Sequence, residues 1–158
     1  MKVRGRDPGR DEPELPCHGF TAFYDPSVPA EAIVDRWDYE LSCRWYPGDS
    51  FPAVWPNFGA GVMAAFLGAE LHPDGRTVWF KPPGELRAAD IHFRYDPDNP
   101  WLSRIKDICR AAMQRWGGPV QVAMTDLGGT LDVLSTFRPG EQLLLDLYDH
   151  PGEVERLT

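Results

Sequence analysis

Residues 120–148 constrain the fold of this chain more than any other stretch. A short, mostly apolar run at 120–124 is followed by Asp126, then by Gly128 and Gly129, and then by a helical pattern of leucines. An apolar run bounded by turn residues is typical of a strand buried on both faces, and glycines let the backbone turn tightly. The stretch therefore predicts a strand, a turn and a pair of helices, which is the order of an α/β sheet.

The rest of the chain is predicted to be further strands and helices behind an N-terminal arm. Residues 1–26 are predicted to be a mobile arm, because prolines and charges of both signs dominate its first part. Residues 27–158 are predicted to be the folded domain. Asn99 and Pro100 are suited to the cap and first position of a helix. Hydrophobic periodicity predicts helices at 27–45, at 60–67 and from Asn99 onward, and strands at 51–55, 77–81 and 90–95.

Composition limits the compartment and the partners of the chain. The formal net charge of −8 argues against nucleic acid as a partner, since phosphate contacts need clustered Lys and Arg. The three cysteines, Cys17, Cys43 and Cys109, are odd in number and widely spaced, which is typical of free thiols in a reducing cytoplasm. No apolar run approaches the ~20 residues that cross a membrane. We therefore predict a cytoplasmic protein that binds neither nucleic acid nor membrane.

Three blocks of sequence stand out by their order and spacing. They are DSFPAVWPNFGAGVMAAFLGAE at Asp49–Glu70, GRTVWFKPP at Gly75–Pro83, and DLGGTLDVLSTFRPGEQLLLDLYDHPGEVERL at Asp126–Leu157. Together they resemble the uroporphyrinogen decarboxylase superfamily, which contains the haem-pathway decarboxylase and cobalamin-linked methyltransferases. The resemblance implies an α/β fold, namely the N-terminal portion of a (β/α)8 TIM-type barrel with a small antiparallel β excursion near residues 71–95.

Length separates this chain from a complete barrel. A closed (β/α)8 barrel takes about 250 residues, with about 200 as a minimum, whereas this chain has 158. The sequence therefore predicts either a truncated part of a longer protein or a shortened relative, and it does not decide between them. Because part of a barrel leaves strand edges unpaired, we also expect the chain to self-associate.

Within the superfamily, the resemblance implies a methyltransferase-like reaction, or an uncharacterised lyase or transferase activity, rather than haem-pathway decarboxylation. The arginine-rich loop of the decarboxylase is missing, its strand-end Asp aligns with Asn57, and its Tyr aligns with Leu134. The methyltransferases bind zinc in the second half of the barrel, so the resemblance implies no cofactor within this segment. The partners it implies are a small-molecule or tetrapyrrole-related substrate and a corrinoid protein. The alternative is a non-catalytic binding or assembly module of the same family.

Three polar residues are candidates for substrate binding: Asn57, Asp126 and Arg138. Asn57 and Asp126 each follow a predicted strand, and ligands meet the carboxyl ends of parallel strands. Arg138 stands at a break between two helices and is suited to bind an anion. Each has a structural alternative, which is to cap turn amides or to hold backbone carbonyls. No catalytic residue is assigned. Cys17 and His18 lack a second pair of ligands, so no metal site is predicted.

Overall fold

The computed structural model describes residues 3–158, and for Arg4 the backbone only. The chain is a mixture of helix (43%) and strand (10%), which confirms the predicted mixed class, and the described residues contain no closed barrel. It divides into two compact units: unit 1 comprises residues up to 57 and 104–125, and unit 2 comprises 58–103 and 126–158. In chain order the elements are β1 (Val3–Arg4), α1 (Ala30–Ser42), β2 (Arg44–Trp45), β3 (Ala53–Val54), α2 (Val62–Phe66), β4 (Glu70–Pro73), β5 (Val78–Lys81), α3 (Pro100–Trp116), β6 (Gln121–Val122), α4 (Thr130–Phe137), α5 (Gly140–Asp149) and α6 (Pro151–Leu157).

Unit 1 contains α1, most of α3 and two small strand pairs. Strands β1 and β2 pair antiparallel, whereas β3 and β6 pair in parallel. Ile33 and Val34 of α1 and Ile108 of α3 are almost completely buried, as expected of the apolar stripe of an amphipathic helix. The predicted helix at 27–45 is too long at both ends. Helix α1 begins after Pro29, and its predicted last turn is strand β2.

The N-terminal arm contacts α1 through polar side chains. An Arg10 guanidinium nitrogen lies 2.9 Å from Asp35 Oδ1, and a guanidinium nitrogen of Arg36 lies 2.6 Å from Glu12 Oε1. Strand β1 adds backbone pairing with β2. The predicted mobility of residues 1–26 stays a prediction, and its part at Met1 and Lys2 lies outside the described residues.

Unit 2 is held together by an apolar cluster. Strands β4 and β5 form an antiparallel hairpin, and helices α2, α4, α5 and α6 supply most of the buried side chains. Burial of apolar surface is the dominant favourable contribution to folding. The buried members of the cluster are Ala64, Ala69, Ala88, Ile91, Val133, Leu134, Phe137, Leu143, Val154 and Leu157.

Asn99 begins helix α3 as the sequence predicts. Its side-chain oxygen accepts hydrogen bonds from the N–H groups of Trp101 (3.0 Å) and Leu102 (3.1 Å), which satisfies two donors of the first helical turn. Its amide nitrogen donates to the Ala65 carbonyl at 3.0 Å. The buried Asn99 therefore both caps the helix and attaches its first turn to the C-terminal part of α2.

Two predicted strands are corrected by the structure. At 120–124 only Gln121 and Val122 form a strand, and Met124 is 74% exposed, so the prediction of burial on both faces is wrong. The predicted strand at 90–95 is absent. Ile91 is buried there and Phe93 packs against the same cluster, so the alternation of side chains reflects packing rather than strand pairing. The antiparallel excursion lies instead in the β4–β5 hairpin.

Helix α3, with 17 residues, carries lysine, arginine and aspartate side chains. Among residues 3–158, no helix is long and apolar enough to cross a membrane.

Candidate functional site

Asp126 shapes the glycine turn of unit 2. Its Oδ1 accepts a hydrogen bond from the Gly128 N–H at 2.9 Å, which is the pattern of an Asx turn. Gly128 has a φ of +70°, and a Cβ added there would lie 2.3 Å from the Ala60 carbonyl oxygen. Glycine is therefore required at this position both by backbone conformation and by close approach. Asp126 itself remains exposed.

The same turn borders a small apolar cavity within unit 2. The cavity has a volume of about 190 Å³ and lies beside Gly128, Gly129 and Thr130, at the beginning of helix α4. Met63 and Leu134 are among the apolar side chains that line it. A cavity of this size is smaller than most small-molecule sites, which are roughly 300–1,000 Å³. It can hold one apolar substituent of a larger ligand.

Asn57 is held by the short 3₁₀ turn at Thr21–Phe23 in unit 1. Its N–H donates to Thr21 Oγ1 at 2.9 Å, and its carbonyl accepts from the Thr21 N–H at 2.6 Å. Its side-chain amide donates to the Gly19 carbonyl at 2.9 Å. These bonds fix the loop that follows β3 and leave the side-chain amide oriented toward the protein's own backbone.

Thr125 also connects the loops of unit 1, and its role was not predicted from the sequence. It is 5% exposed, and its hydroxyl donates to the Pro56 carbonyl at 2.8 Å. The bond joins the loop after β6 to the loop after β3. Thr125 follows a short apolar run, and this position in the sequence does not indicate whether the threonine is buried or exposed.

Arg138 forms a two-pronged ion pair with Asp146 in unit 2. Its Nε and Nη2 donate to the two carboxylate oxygens at 2.6 and 2.9 Å, and its Nη1 donates to the Leu86 carbonyl at 2.7 Å. Both side chains are largely buried. This is the structural alternative considered for Arg138, with a carboxylate as its main partner, and it fixes the break between α4 and α5.

A larger cavity lies in unit 1, between the N-terminal arm and α1. It has a volume of about 890 Å³, and Arg36, Tyr39, Cys17 and Cys43 are among its lining residues. The sequence did not predict this cavity, because residues 1–26 were assigned to a mobile arm. The burial of an arginine on an amphipathic helix can be recognised only when the position of that arginine relative to the apolar stripe of the helix is known.

The side chains that could bind a metal ion are dispersed in the described part of the chain. Between residues 3 and 158, no three His, Cys, Asp or Glu side chains lie close enough together to hold a metal ion. His18 packs against the ring of Tyr24, with the ring centroids 4.8 Å apart. Cys17 lies in the arm cavity.

Comparison of the chain with protein-family models, with curated proteins and with solved structures found no significant match.

Proposed function

We propose that this chain is the N-terminal part of an α/β barrel domain related to the uroporphyrinogen decarboxylase family, and that it contributes a substrate-binding wall. The observation that carries the proposal is the parallel pairing of β3 with β6. Each of these strands is followed by a polar loop residue and then by a helix. Such barrels are built from repeated strand–loop–helix units with parallel strands, and the loops after the strands form their substrate sites.

The loop side chains favour binding rather than bond-breaking chemistry. Asn57 and Arg138 use their donor groups in bonds within the chain. Asp126 is exposed and uses one carboxylate oxygen for the turn, so it is suited to accept a hydrogen bond from a substrate N–H or O–H group. The substrate class that we propose is a small molecule or a tetrapyrrole-related compound.

The reaction that the whole domain serves is proposed to be methyltransferase-like, or a related lyase or transferase reaction. In the methyltransferases, zinc activates a thiol for attack on a methyl group. The His, Cys, Asp and Glu side chains of residues 3–158 do not fit such a site, since no three of them come together. No reaction step is therefore assigned to a metal on this chain, and a corrinoid-protein partner stays a prediction.

A porphyrin titration tests the proposed substrate wall. Six tryptophans make intrinsic fluorescence a convenient signal, and uroporphyrin supplies a tetrapyrrole probe. We expect saturable quenching by uroporphyrin, and we expect Asp126→Ala to weaken binding about tenfold, as loss of one hydrogen bond to a charged group would. Asp74→Ala is the matched control, because Asp74 also accepts hydrogen bonds from turn N–H groups in unit 2.

The control separates a binding role from a folding role. Asp74→Ala is expected to leave the affinity for uroporphyrin unchanged while perturbing its own turn. The absence of saturable quenching, or an equal loss of affinity in both variants with unchanged circular dichroism, would reject the substrate wall.

A second candidate function, the non-catalytic assembly module, is favoured by the exposed face of helix α5. Leu144 is 69% exposed, Leu145 57% and Tyr148 88%, although all three are apolar or aromatic. Contiguous exposed apolar surface usually marks an interaction site. We expect the molar mass from light scattering to rise with concentration and Leu144→Glu to abolish the rise. Gln142→Glu, which adds the same charge at an exposed polar position of α5, is the control and is expected to associate like the unaltered chain. A sharp monomer at high concentration contradicts this candidate.

A further inference from the structure

The arm cavity of unit 1 contains a buried arginine with an unused donor. Arg36 lines the cavity and is 6% exposed. Its Nη2 lies 2.7 Å from Glu40 Oε1, and its Nη1 lies 2.6 Å from Glu12 Oε1. Its Nε is buried and has no hydrogen-bond partner among the described residues. Buried donors are normally paired, so the guanidinium group can accept one more acceptor than the chain provides.

The contacts of Nη1 come from the N-terminal arm and can be exchanged. The side chain of Glu12 is 58% exposed, although it pairs with a buried cation. The Pro13 carbonyl accepts a second, longer hydrogen bond from Nη1 at 3.3 Å. Removing a carboxylate from a buried cation is costly, whereas replacing it by another carboxylate keeps the cation paired. Glu12 therefore shows which chemical group Arg36 binds on the side of the arm.

The arm segment that lines the cavity is anchored at both ends. At one end, the N–H groups of Gly5 and Arg6 donate to the Cys43 carbonyl at 3.1 and 3.2 Å. At the other end, the Tyr24 hydroxyl donates to the Pro16 carbonyl at 2.9 Å. The walls of the cavity therefore do not depend on a single ion pair.

The size and the charges of the cavity limit the class of ligand. Its volume of about 890 Å³ lies near the upper end of the range of small-molecule sites, roughly 300–1,000 Å³. Its lining carries the carboxylates of Glu12, Glu14 and Glu40 and the guanidinium groups of Arg6 and Arg36. An excess of carboxylates disfavours a multiply charged anion such as a nucleotide. It suits a ligand with one carboxylate for Arg36 and one ammonium group for the exposed Glu14.

Much of the remaining lining is apolar. Pro8, Pro13, Leu15 and Tyr39 contribute to it. The guanidinium carbon of Arg36 lies 5.3 Å from the centroid of the Tyr39 ring, so apolar surface lies next to the cation. Such walls suit a hydrocarbon or aromatic side chain of the ligand.

From this arrangement we propose that the arm cavity binds a short peptide with free termini. The carboxylate of the peptide takes the place of Glu12 on Arg36 and, because it is not tied to the arm, also accepts a hydrogen bond from Nε. The ammonium group of the peptide pairs with Glu14, and an apolar side chain packs on the wall. Glu12 is then an internal competitor for Arg36. The site uses none of the residues of the proposed substrate wall.

Calorimetric titration with the dipeptide alanylphenylalanine tests the class of ligand. We expect saturable binding of one dipeptide per chain. The C-terminal amide of the dipeptide lacks the carboxylate and should bind about tenfold more weakly. The N-acetyl dipeptide lacks the ammonium group and should bind about threefold more weakly, because its partner is an exposed carboxylate. The absence of saturable binding, or an affinity for either derivative equal to that for the free dipeptide, would overturn the proposal.

Substitutions separate the site from the rest of the chain. Arg36→Gln should abolish saturable binding, and Arg36→Lys should weaken it about tenfold, since lysine keeps the charge but loses the forked donors. Glu12→Gln should tighten binding about threefold, because the competitor loses its charge. Arg110→Gln removes an exposed arginine outside the cavity, and it should leave the affinity unchanged, as should Asp126→Ala. Unchanged or weaker binding to Glu12→Gln would reject the exchange at Arg36.

The Arg36 Nε–H resonance reports the site without relying on the stability of a variant. In the ¹⁵N-labelled chain its cross-peak, assigned by its absence from Arg36→Lys, should shift on addition of the dipeptide and saturate with the calorimetric affinity. The Nε–H of Arg138, which already donates to Asp146, is the internal reference and should not shift. If Arg36→Gln does not fold by circular dichroism, this resonance decides: a peak that stays fixed at saturating dipeptide would overturn the proposal.

Discussion

Both units of this protein bury apolar side chains, among them Ile33, Val34 and Ile108 in unit 1, and they differ in how exposed their ion pairs are. Unit 2 contains a cluster of ten buried apolar side chains together with a buried ion pair between Arg138 and Asp146.

In unit 1 the arm and the two long helices are joined by polar groups, among them Arg36 with Glu12 and Arg115 with Asp38. Apolar burial is insensitive to pH, whereas ion pairs depend on the protonation of their carboxylates. Asp38, whose pKa is lowered by Arg115 and Trp116 against the effect of burial, should therefore give unit 1 a contribution to stability that depends on pH.

The difference also separates the two candidate sites. The loop at Asp126 in unit 2 lies beside a small apolar cavity and presents one carboxylate at its edge. The arm cavity in unit 1 is larger and combines a buried cation with two thiols. The first surroundings suit an apolar part of a ligand.

The largest effect is expected from breaking the ion pair in unit 2. Asp146→Ala leaves the largely buried Arg138 without its carboxylate, and such a loss typically costs about 3–5 kcal/mol of unfolding free energy. Urea denaturation measures the change. Asp149→Ala, on an exposed position of the same helix, is the control and should change stability little. A loss of less than about 1 kcal/mol for Asp146→Ala would mean that the pair is effectively solvated.

Truncating a buried side chain of the apolar cluster in unit 2 should lower the unfolding free energy by a comparable or slightly smaller amount. Leu134 is 1% exposed, and Leu134→Ala should lower the unfolding free energy by about 2–5 kcal/mol through lost burial and an unfilled cavity. Leu131→Ala, at a 59% exposed position of the same helix, should cost far less. Equal losses in the two variants would contradict the assignment of the cluster as the core of unit 2.

Substitution of Gly128 in the glycine turn should lower the stability by a smaller amount, part of which comes from the close approach of the Ala60 carbonyl oxygen. Gly128→Ala combines a φ of +70° with a contact of 2.3 Å to the Ala60 oxygen, whereas Gly75→Ala has a φ of +83° and open space. Both should destabilise the chain by about 1 kcal/mol through backbone strain, and Gly128→Ala by up to about 2 kcal/mol more. Thermal unfolding monitored by circular dichroism compares the two, and identical losses would exclude the steric contribution.

The smallest change in stability is expected from protonation of Asp38 in unit 1. Burial raises the pKa of Asp38, but hydrogen bonds from Arg115 and Trp116, together with the charges of Arg115 and Arg10, lower it below its usual 3.8. A lowered pKa in the folded state stabilises the fold above the unfolded value, and this stabilisation is lost as the pH falls through the folded value.

Asp38→Asn should therefore destabilise the chain at neutral pH, and the difference from the unaltered chain should shrink from about pH 4 downward. Urea titrations at several pH values measure it. Asp107→Asn, which affects an exposed pair with Arg110, should show little difference at any pH. A difference for Asp38→Asn that is constant from neutral to acid pH would contradict the role of its charge.

Helix boundaries set by local chemistry could be predicted from the sequence. Asn99 followed by Pro100 predicted the start of α3, and the hydrogen bonds of Asn99 confirm it. The strand at 120–124 could not be predicted correctly, because apolar composition does not reveal whether a second layer covers both faces. Met124, at 74% exposure, shows that such a layer is absent from the described structure on its side.

The candidate site residues also differ in how much of their role could be predicted from the sequence. Asp126 and the following glycines predicted a turn from residues a few positions apart, and the turn is present. Arg138 was considered as an anion-binding residue, and only the tertiary structure shows that the carboxylate it binds is Asp146 of the same chain. Whether Asp126 also binds a substrate stays a prediction.

The sequence by itself determined the mixed class of the fold, the start of α3 and the turn at Gly128, because capping and backbone conformation act between neighbours in the chain. Only the tertiary structure decided that Cys17 and Cys43 line one cavity with the buried Arg36. These residues lie far apart in the chain. Their proximity depends on how the arm packs against α1, and packing between distant segments leaves no periodic signal in either segment.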